Sequence, residues 1–178
     1  MPGIAPRIHL ALITVQVLFG SLPVVGKLAM RTLPGLALVG VRVSLATAIF
    51  FLLRPKEARV TLTWRQHLDM AVAGLLGVTI NQIFFILGLE RTGAVNATVL
   101  VTTIPVFTLV FSLVLRTERA TPLRIGGVVV AFAGALVVSG AAQLNTEPSV
   151  VVGNLMLLGN AAAYALYLIR TRRLTATI

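Results

Sequence analysis

The stretch ALVGVRVSLATAIFFLL (residues 37–53) carries one permanent cation, Arg42, in a run whose only other polar side chains belong to Ser44 and Thr47. An α-helix that crosses about 30 Å of hydrocarbon at about 1.5 Å per residue needs about 20 apolar residues. This stretch and its flanks meet that requirement. They predict a membrane-spanning helix that holds Arg42 roughly 13 Å below one surface, near the midplane.

The composition of the whole chain indicates the same class of protein. Hydrophobic residues make up 57% and charged residues 11% of its 178 residues, which is too little polar surface to cover a soluble domain. Cysteine is absent, which excludes disulfides and thiolate metal sites, and His9 and His67 leave little for a metal. We expect no cofactor. We also expect no enzyme, because no catalytic pair or cluster has a suitable spacing.

Six apolar runs of about the required length divide the chain. They cover residues 8–30, 33–53, 68–89, 94–115, 123–142 and 151–169. An apolar run of this length with at most one charged residue is typical of a transmembrane helix. The sequence therefore predicts an all-α fold, a polytopic transmembrane helical bundle with six spans.

The basic residues predict an orientation. The chain has 15 Lys and Arg against five acids. Eleven of these cations fall on the side of the N-terminus, three fall on the other side, and Arg42 lies within a span. Short loops rich in Lys and Arg stay in the cytoplasm. We expect a multi-pass protein of a bacterial-type inner (plasma) membrane with both termini in the cytoplasm and its cytoplasmic loops on anionic lipid. The clusters carry no DNA- or RNA-binding motif, so we expect no nucleic-acid partner.

A weak internal repeat suggests how the helices are grouped. An offset of 145 residues superimposes the sixth run on the first and places Tyr164 on Phe19 and Arg172 on Lys27. If the sixth helix restarts the first, the repeat unit has five helices, and an odd number inverts the second copy in the membrane. We expect residues 1–142 to form the first repeat, and residues 143–178 to form a linker and the first helix of an incomplete second repeat.

Three stretches together carry a family pattern. They are GSLPVVGKLAMR (20–31), LVGVRVSLATAIFFLL (38–53) and LGLERTGAVNATVLVTTIPVFTLVFSLVLRTERATPLRIGGVVVAFAGALVV (87–138). With a small-residue-rich first helix, an arginine in the second and a proline in the fourth, the chain resembles the EamA family of the drug/metabolite transporter superfamily. The matching positions are Arg42, Ala94, Ala97, Leu100, Pro105, Glu118, Arg119, Gly126 and Gly134.

The resemblance implies a function and a larger architecture. Members of the family have ten helices in two inverted five-helix repeats and act as secondary transporters of small metabolites, amino acids or toxic compounds. We therefore expect an inner-membrane permease that works by alternating access and is represented here by an incomplete chain. The alternatives are a six-helix homodimeric carrier and a non-transporting membrane assembly or regulatory subunit.

Arg42 is the first candidate for substrate binding. A cation at the midplane costs about 2.5–3.5 kcal/mol on insertion scales, so its side chain should face protein or water. One interpretation is an anion or carboxylate site in a central cavity. The other is a structural arginine bonded to helix-end carbonyls and to the amides of Asn81 or Gln82.

The first helix carries a polar face. Gln16, Gly20, Pro23 and Lys27 are spaced four, three and four residues apart, which places them on one side. Pro23 removes a backbone hydrogen bond and frees a carbonyl. This face either lines a cavity that flexes at the proline or packs against a neighbour with a tolerated kink.

The third, fourth and sixth helices supply the remaining candidates. The amides of Asn81 and Gln82 are expected to find partners across the bundle, whereas the threonines of the fourth helix can bond to their own helix. The candidate substrate-binding residues are Gln16, Pro23, Arg42, Asn81, Gln82, Thr102, Pro105 and Tyr164.

Small residues predict where helices approach closely. Ala73 with Gly77 on the third helix, and Gly127, Ala131 and Ala135 on the fifth, are spaced for packing faces. By the resemblance, the fifth helix could also serve a homodimer.

Overall fold

The computed structural model describes residues 6–53, 63–117, 121–138 and 147–175, which are helical and contain no strand. Eight α-helices and one π-helical segment follow one another in these residues. They are α1 (Pro6–Ala29), α2 (Gly35–Leu52), α3 (Trp64–Gly74), the π segment (Leu75–Ile80), α4 (Asn81–Arg91), α5 (Ala94–Val101), α6 (Ile104–Val114), α7 (Pro122–Val138) and α8 (Pro148–Thr175).

Among the described residues, five helical stretches are long and apolar enough to cross a membrane. They are Ile8–Ala29, Gly35–Leu52, Trp64–Arg91, Ala94–Val114 and Pro148–Arg172. The third stretch joins α3, the π segment and α4, and the fourth joins α5 and α6. In α7 a shorter apolar helix, Pro122–Gly134, takes the place of the fifth predicted run. The predicted all-α polytopic helical bundle is confirmed.

The helix α8 is the centre of the bundle. It packs against α3, the π segment, α4, α5 and α6, and Leu157, Ala161 and Ala165 on it are fully buried. The main hydrophobic cluster joins α8 to α4 and α5 through Phe85, Ile86, Leu89, Ala97 and Leu157. Since α8 has neighbours on several sides, its apolar residues show almost no one-sided pattern.

The other helices are more peripheral. The C-terminal half of α1 lies against α4 and α5, and α2 lies against α4, with Pro23, Gly26 and Gly35 buried at these contacts. The first half of α1, from Ile8 to Gly20, is exposed throughout.

Glycines allow α4 and α8 to approach closely. A Cβ atom at Gly88 would lie 2.8 Å from the carbonyl oxygen of Gly153, and one at Gly159 would lie 2.7 Å from the ring of Phe84. Ala73 is buried, and the ring of Tyr167 fills the space beside Gly77, so the packing face predicted on the third helix is confirmed. The face predicted on α7 remains a prediction, because Gly127 has open space around it in the described chain.

Candidate functional site

The third and fourth spans are both interrupted near their middles. The π segment breaks the α-helical pattern between α3 and α4, and Thr102 and Thr103 form a turn between α5 and α6. All of these elements contact α8. Inside a membrane, irregular backbone is found where protein or a water-filled cavity surrounds it, and single π turns are frequent at functional sites. These interruptions locate the candidate site at mid-depth.

A buried amide links α8 to the end of the π segment. Asn160 is 3% exposed, and its Nδ2 donates to the backbone carbonyl of Asn81 at 2.8 Å. The side chains of Asn81 and Gln82 are half-buried beside this link. Sequence reasoning expected a partner across the bundle here but missed Asn160. Its signal was an amide in the middle of an apolar run, the same signal that singled out Asn81.

Threonine hydroxyls stabilise the turn in the fourth span. The Oγ1 atoms of Thr102 and Thr103 donate to the carbonyls of Val99 and Leu100, each at 2.6 Å. The alternative that these hydroxyls bond to their own helix is confirmed. Pro105 follows in the first turn of α6 and is exposed. The turn ends α5, and α6 begins directly after it with Pro105 in its first turn.

Arg42 is half-buried on α2, and one end of its guanidinium is fully buried. Its Nη1 atom has no hydrogen-bond partner among the described residues. The structural interpretation required this group to bond to carbonyls or amides, and for Nη1 that bond is absent from the described chain. A buried charged donor without a partner is costly, so Arg42 stays a candidate for ligand binding.

The polar face of α1 is divided between two environments. Gln16 and Gly20 are exposed, whereas Pro23 is buried. Lys27 is engaged by the end of α4, because its Nζ donates to the carbonyls of Leu89, Thr92 and Glu90 at 2.6, 2.7 and 3.1 Å. Lys27 therefore has a structural role.

A recess of about 510 Å³ lies beside Lys27. Its lining consists of Lys27, Met30, Arg31, Thr32, Leu33, Pro34 and Glu90. Within it Oε1 of Glu90 accepts a hydrogen bond from the backbone N–H of Gly35 at 2.8 Å, at the first residue of α2. Hydrogen bonds thus connect α1 and α2 to α4 at this end of the bundle.

Tyr164 lies on α8 and is half-buried. Its ring centroid is 5.4 Å from that of Tyr167, whose ring packs over Gly77 of the π segment. The structure therefore brings Tyr164 near the π segment, and Asn81 to Asn160. Gln16 and Pro105 are exposed, outside this packed centre.

Other predicted features fall outside the candidate site. Glu118 and Arg119 of the family pattern lie outside the described residues. Within the described part of the chain, no group of three His, Asp or Glu side chains is placed to hold a metal ion.

Comparison with known proteins identifies relatives of the chain. The model of the EamA-like transporter family matches residues 6–140. A WAT1-related protein of Arabidopsis thaliana is 32% identical over 139 residues, which cover 74% of this chain and 39% of the relative. No solved structure matches significantly.

Two prokaryotic relatives are also named as transporters. An uncharacterized transporter of Archaeoglobus fulgidus is 25% identical over 141 residues, 79% of this chain and 49% of the relative. The uncharacterized transporter YetK of Bacillus subtilis is 22% identical over 174 residues, 96% of this chain and 53% of the relative. The chain therefore spans about half the length of these two relatives, and it spans less than half the length of the plant protein.

Proposed function

This chain belongs to the EamA-like transporter family. On that premise we propose that it functions in a secondary transporter, whose substrate is a small metabolite that bears a carboxylate or another anionic group. The family and the transporter-named relatives support transport across a membrane. The anionic class of substrate and the mechanism by alternating access are our proposal.

The observation that carries the proposal is the buried Nη1 atom of Arg42. A membrane protein gains nothing from a half-buried guanidinium whose inner nitrogen has no partner, because desolvation of the charge is then uncompensated. A carboxylate that bonds to this nitrogen would offset that cost. The binding energy would therefore be largest for a ligand with a negative charge.

The remaining candidates give the site its polar lining. In this proposal the amides of Asn81 and Gln82 and the hydroxyl of Tyr164 orient the ligand, while Gln16 and Pro23 extend the lining along α1. Thr102 and Pro105 mark the turn at which α5 and α6 can change their relative direction. The π segment offers a second flexible point in the neighbouring span.

Alternating access requires the two sides of the site to open in turn. We propose that α1 to α7 belong to one five-helix repeat and that α8 belongs to a second, inverted one. The cation distribution supports a cytoplasmic position for both chain ends, in the plasma membrane. Packing of α8 among α3 to α6 is in keeping with a site between two repeats.

Equilibrium binding to the detergent-solubilised chain tests the proposal. The probes are radiolabelled succinate and L-glutamate, with radiolabelled choline as the cationic control. We expect saturable binding of a carboxylate and a loss of about tenfold or more in affinity for Arg42→Gln, since a charged hydrogen bond is removed. Arg42→Lys should retain part of the affinity. Arg31→Gln, an exposed position after α1, is the matched control and should bind as the wild type does.

Exchange of the bound probe across reconstituted vesicles then tests transport. Accumulation of external label against unlabelled internal substrate, lost in Arg42→Gln, is the expected result. Saturable binding without exchange would contradict transport by this chain on its own, and equal loss of binding in the Arg42 and Arg31 variants would contradict the assignment of the site.

A further inference from the structure

A second polar recess lies at the end of the bundle opposite Lys27. It has a volume of about 420 Å³ and lies between the C-terminal ends of α6 and α8. Its lining consists of Thr108, Ser112, Arg116, Thr117, Leu168, Ile169 and Arg172. Two of these residues are cationic and none is acidic.

Arg116 adopts a backbone conformation that an arginine rarely takes. Its φ is 51°, in the left-handed region. The N–H of Arg116 donates to the carbonyl of Leu113 at 3.0 Å, and the N–H of Thr117 donates to that of Ser112 at 2.9 Å. This pair of bonds is the Schellman helix ending, in which glycine usually occupies the left-handed position. An arginine there carries a strain that glycine would avoid.

The residue in this strained conformation, Arg116, is one of two cations that line the recess. Arg116 comes from the end of α6, and Arg172 faces the same recess from the last turns of α8. The nearby acid on this end of α3, Asp69, is bonded to Arg170 at 2.6 Å. The hydroxyls of Thr108 and Thr117 donate to backbone carbonyls at 2.8 and 3.2 Å. Arg116 and Arg172 are the charged residues among those that line the recess.

The walls of the recess are partly apolar. Leu168 and Ile169 line it next to Arg172, and Leu168 is exposed. The recess lies where two candidate spans, Ala94–Val114 and Pro148–Arg172, end. At this depth a protein meets the headgroups and the first methylenes of the lipid.

We propose that this recess binds the phosphate group of an anionic phospholipid, with Arg116 and Arg172 as its donors. Arginine presents several N–H groups in a fixed fork that matches phosphate oxygens. The apolar wall favours a lipid over a free phosphate ion, because the glycerol and acyl carbons can cover Leu168. The inference is independent of transport, since it needs only the membrane position of α6 and α8.

Native mass spectrometry of the 178-residue chain in detergent measures the proposed contact. The probe is phosphatidylglycerol, with phosphatidylcholine as the neutral comparison. We expect retained phosphatidylglycerol in the wild type and about fivefold weaker retention for each of Arg116→Gln and Arg172→Gln. The double variant Arg65→Gln with Arg124→Gln removes two charges near the same end of the bundle, one more than either single variant, and should leave retention unchanged.

The variant Arg116→Gly separates binding from folding. Glycine relieves the left-handed strain, so the variant should unfold at a higher temperature than the wild type while retaining less phosphatidylglycerol. Weakening of retention by the Arg65 and Arg124 pair to the same extent would overturn the proposal, as would unchanged retention in Arg116→Gly. Displacement of the lipid by inorganic phosphate but not by chloride at matched ionic strength would assign the recess to free phosphate and overturn the lipid assignment.

Discussion

Lys27 on α1 and Arg42 on α2 are cations of neighbouring helices that both meet the interior of the bundle. Lys27 donates three hydrogen bonds to the carbonyls at the end of α4. Arg42 holds a buried nitrogen without a partner in the described chain. A cation in a membrane helix therefore indicates one of two things: a structural bond to a neighbouring helix, or a position that needs a ligand or water.

The difference lies in what surrounds each cation. The last carbonyls of a helix have no partner within the helix, so a lysine beside them satisfies them and is satisfied in turn. Arg42 lies well inside α2, away from both ends of that helix, and no described carbonyl bonds to its Nη1 atom. A cation at the end of a neighbouring helix is accordingly structural, and one at mid-span needs a ligand or a water-filled cavity.

The largest effect is expected at Lys27. Lys27→Met should lower the free energy of unfolding in mixed micelles by about 3 kcal/mol, because three carbonyls lose a charged donor in surroundings that offer little water. Chemical denaturation followed by circular dichroism measures this loss. Arg31→Gln, one turn further along and exposed, is the control and should change stability little. A loss in Lys27→Met no larger than the control would break the distinction between the two cations.

The contact between Gly35 and Glu90, beside Lys27, offers a second test. A Cβ atom at Gly35 would collide with the carboxylate of Glu90 and lie 2.6 Å from Ile86. Gly35→Ala should therefore cost about 2 kcal/mol of unfolding free energy, as overpacking does.

Gly40→Ala, on the same helix with nothing within 4 Å, is the matched substitution for Gly35→Ala. It should be neutral or slightly stabilising because alanine favours a helix. Equal effects at the two glycines would show that the junction of α1, α2 and α4 is not a fixed contact.

Arg42 should behave in the opposite way to Lys27. Arg42→Met is expected to leave the free energy of unfolding unchanged or to raise it by about 1 kcal/mol, since an uncompensated charge is replaced by an apolar side chain. The same denaturation experiment, run without added ligand, gives the comparison. A loss of stability as large as that of Lys27→Met would mean that Arg42 has a structural partner and would remove the basis for a carboxylate site.

Much of the fold follows from elementary properties of the sequence. The length and apolarity of the runs predicted the spans, because hydrocarbon thickness sets the length of a crossing helix. The beginning of α3 at Thr63 and Gln66, where each side chain bonds to the other's backbone, is also visible as the pattern T-x-x-Q. These features depend on residues close together in the chain.

The parts that sequence reasoning missed depend on distant residues. Nothing local distinguishes the π segment, which is stabilised where Tyr167 packs over Gly77. The role of Lys27 required knowledge that the end of α4 lies beside α1, more than sixty residues away. The sequence singled out Thr102 and Pro105 as candidate residues, but only the structure shows the turn at Thr102 and Thr103. Neighbouring helices decide these details after the spans have formed.

The smallest effect is expected at the exposed ion pair of Asp69 and Arg170. The two side chains are 41% and 44% exposed, with Nη2 to Oδ1 at 2.6 Å. Asp69→Asn should lower the free energy of unfolding by less than about 1 kcal/mol and by less still in high salt, because water and ions screen the pair. Arg170→Gln should give the same small loss, and the double variant should be no less stable than either single variant if the two side chains act only on each other. A larger, salt-independent loss would mean that the contact between α3 and α8 at this end stabilises the bundle as strongly as the contacts of Lys27 do. A cation would then be structural through an ion pair alone, without a bond to a backbone carbonyl.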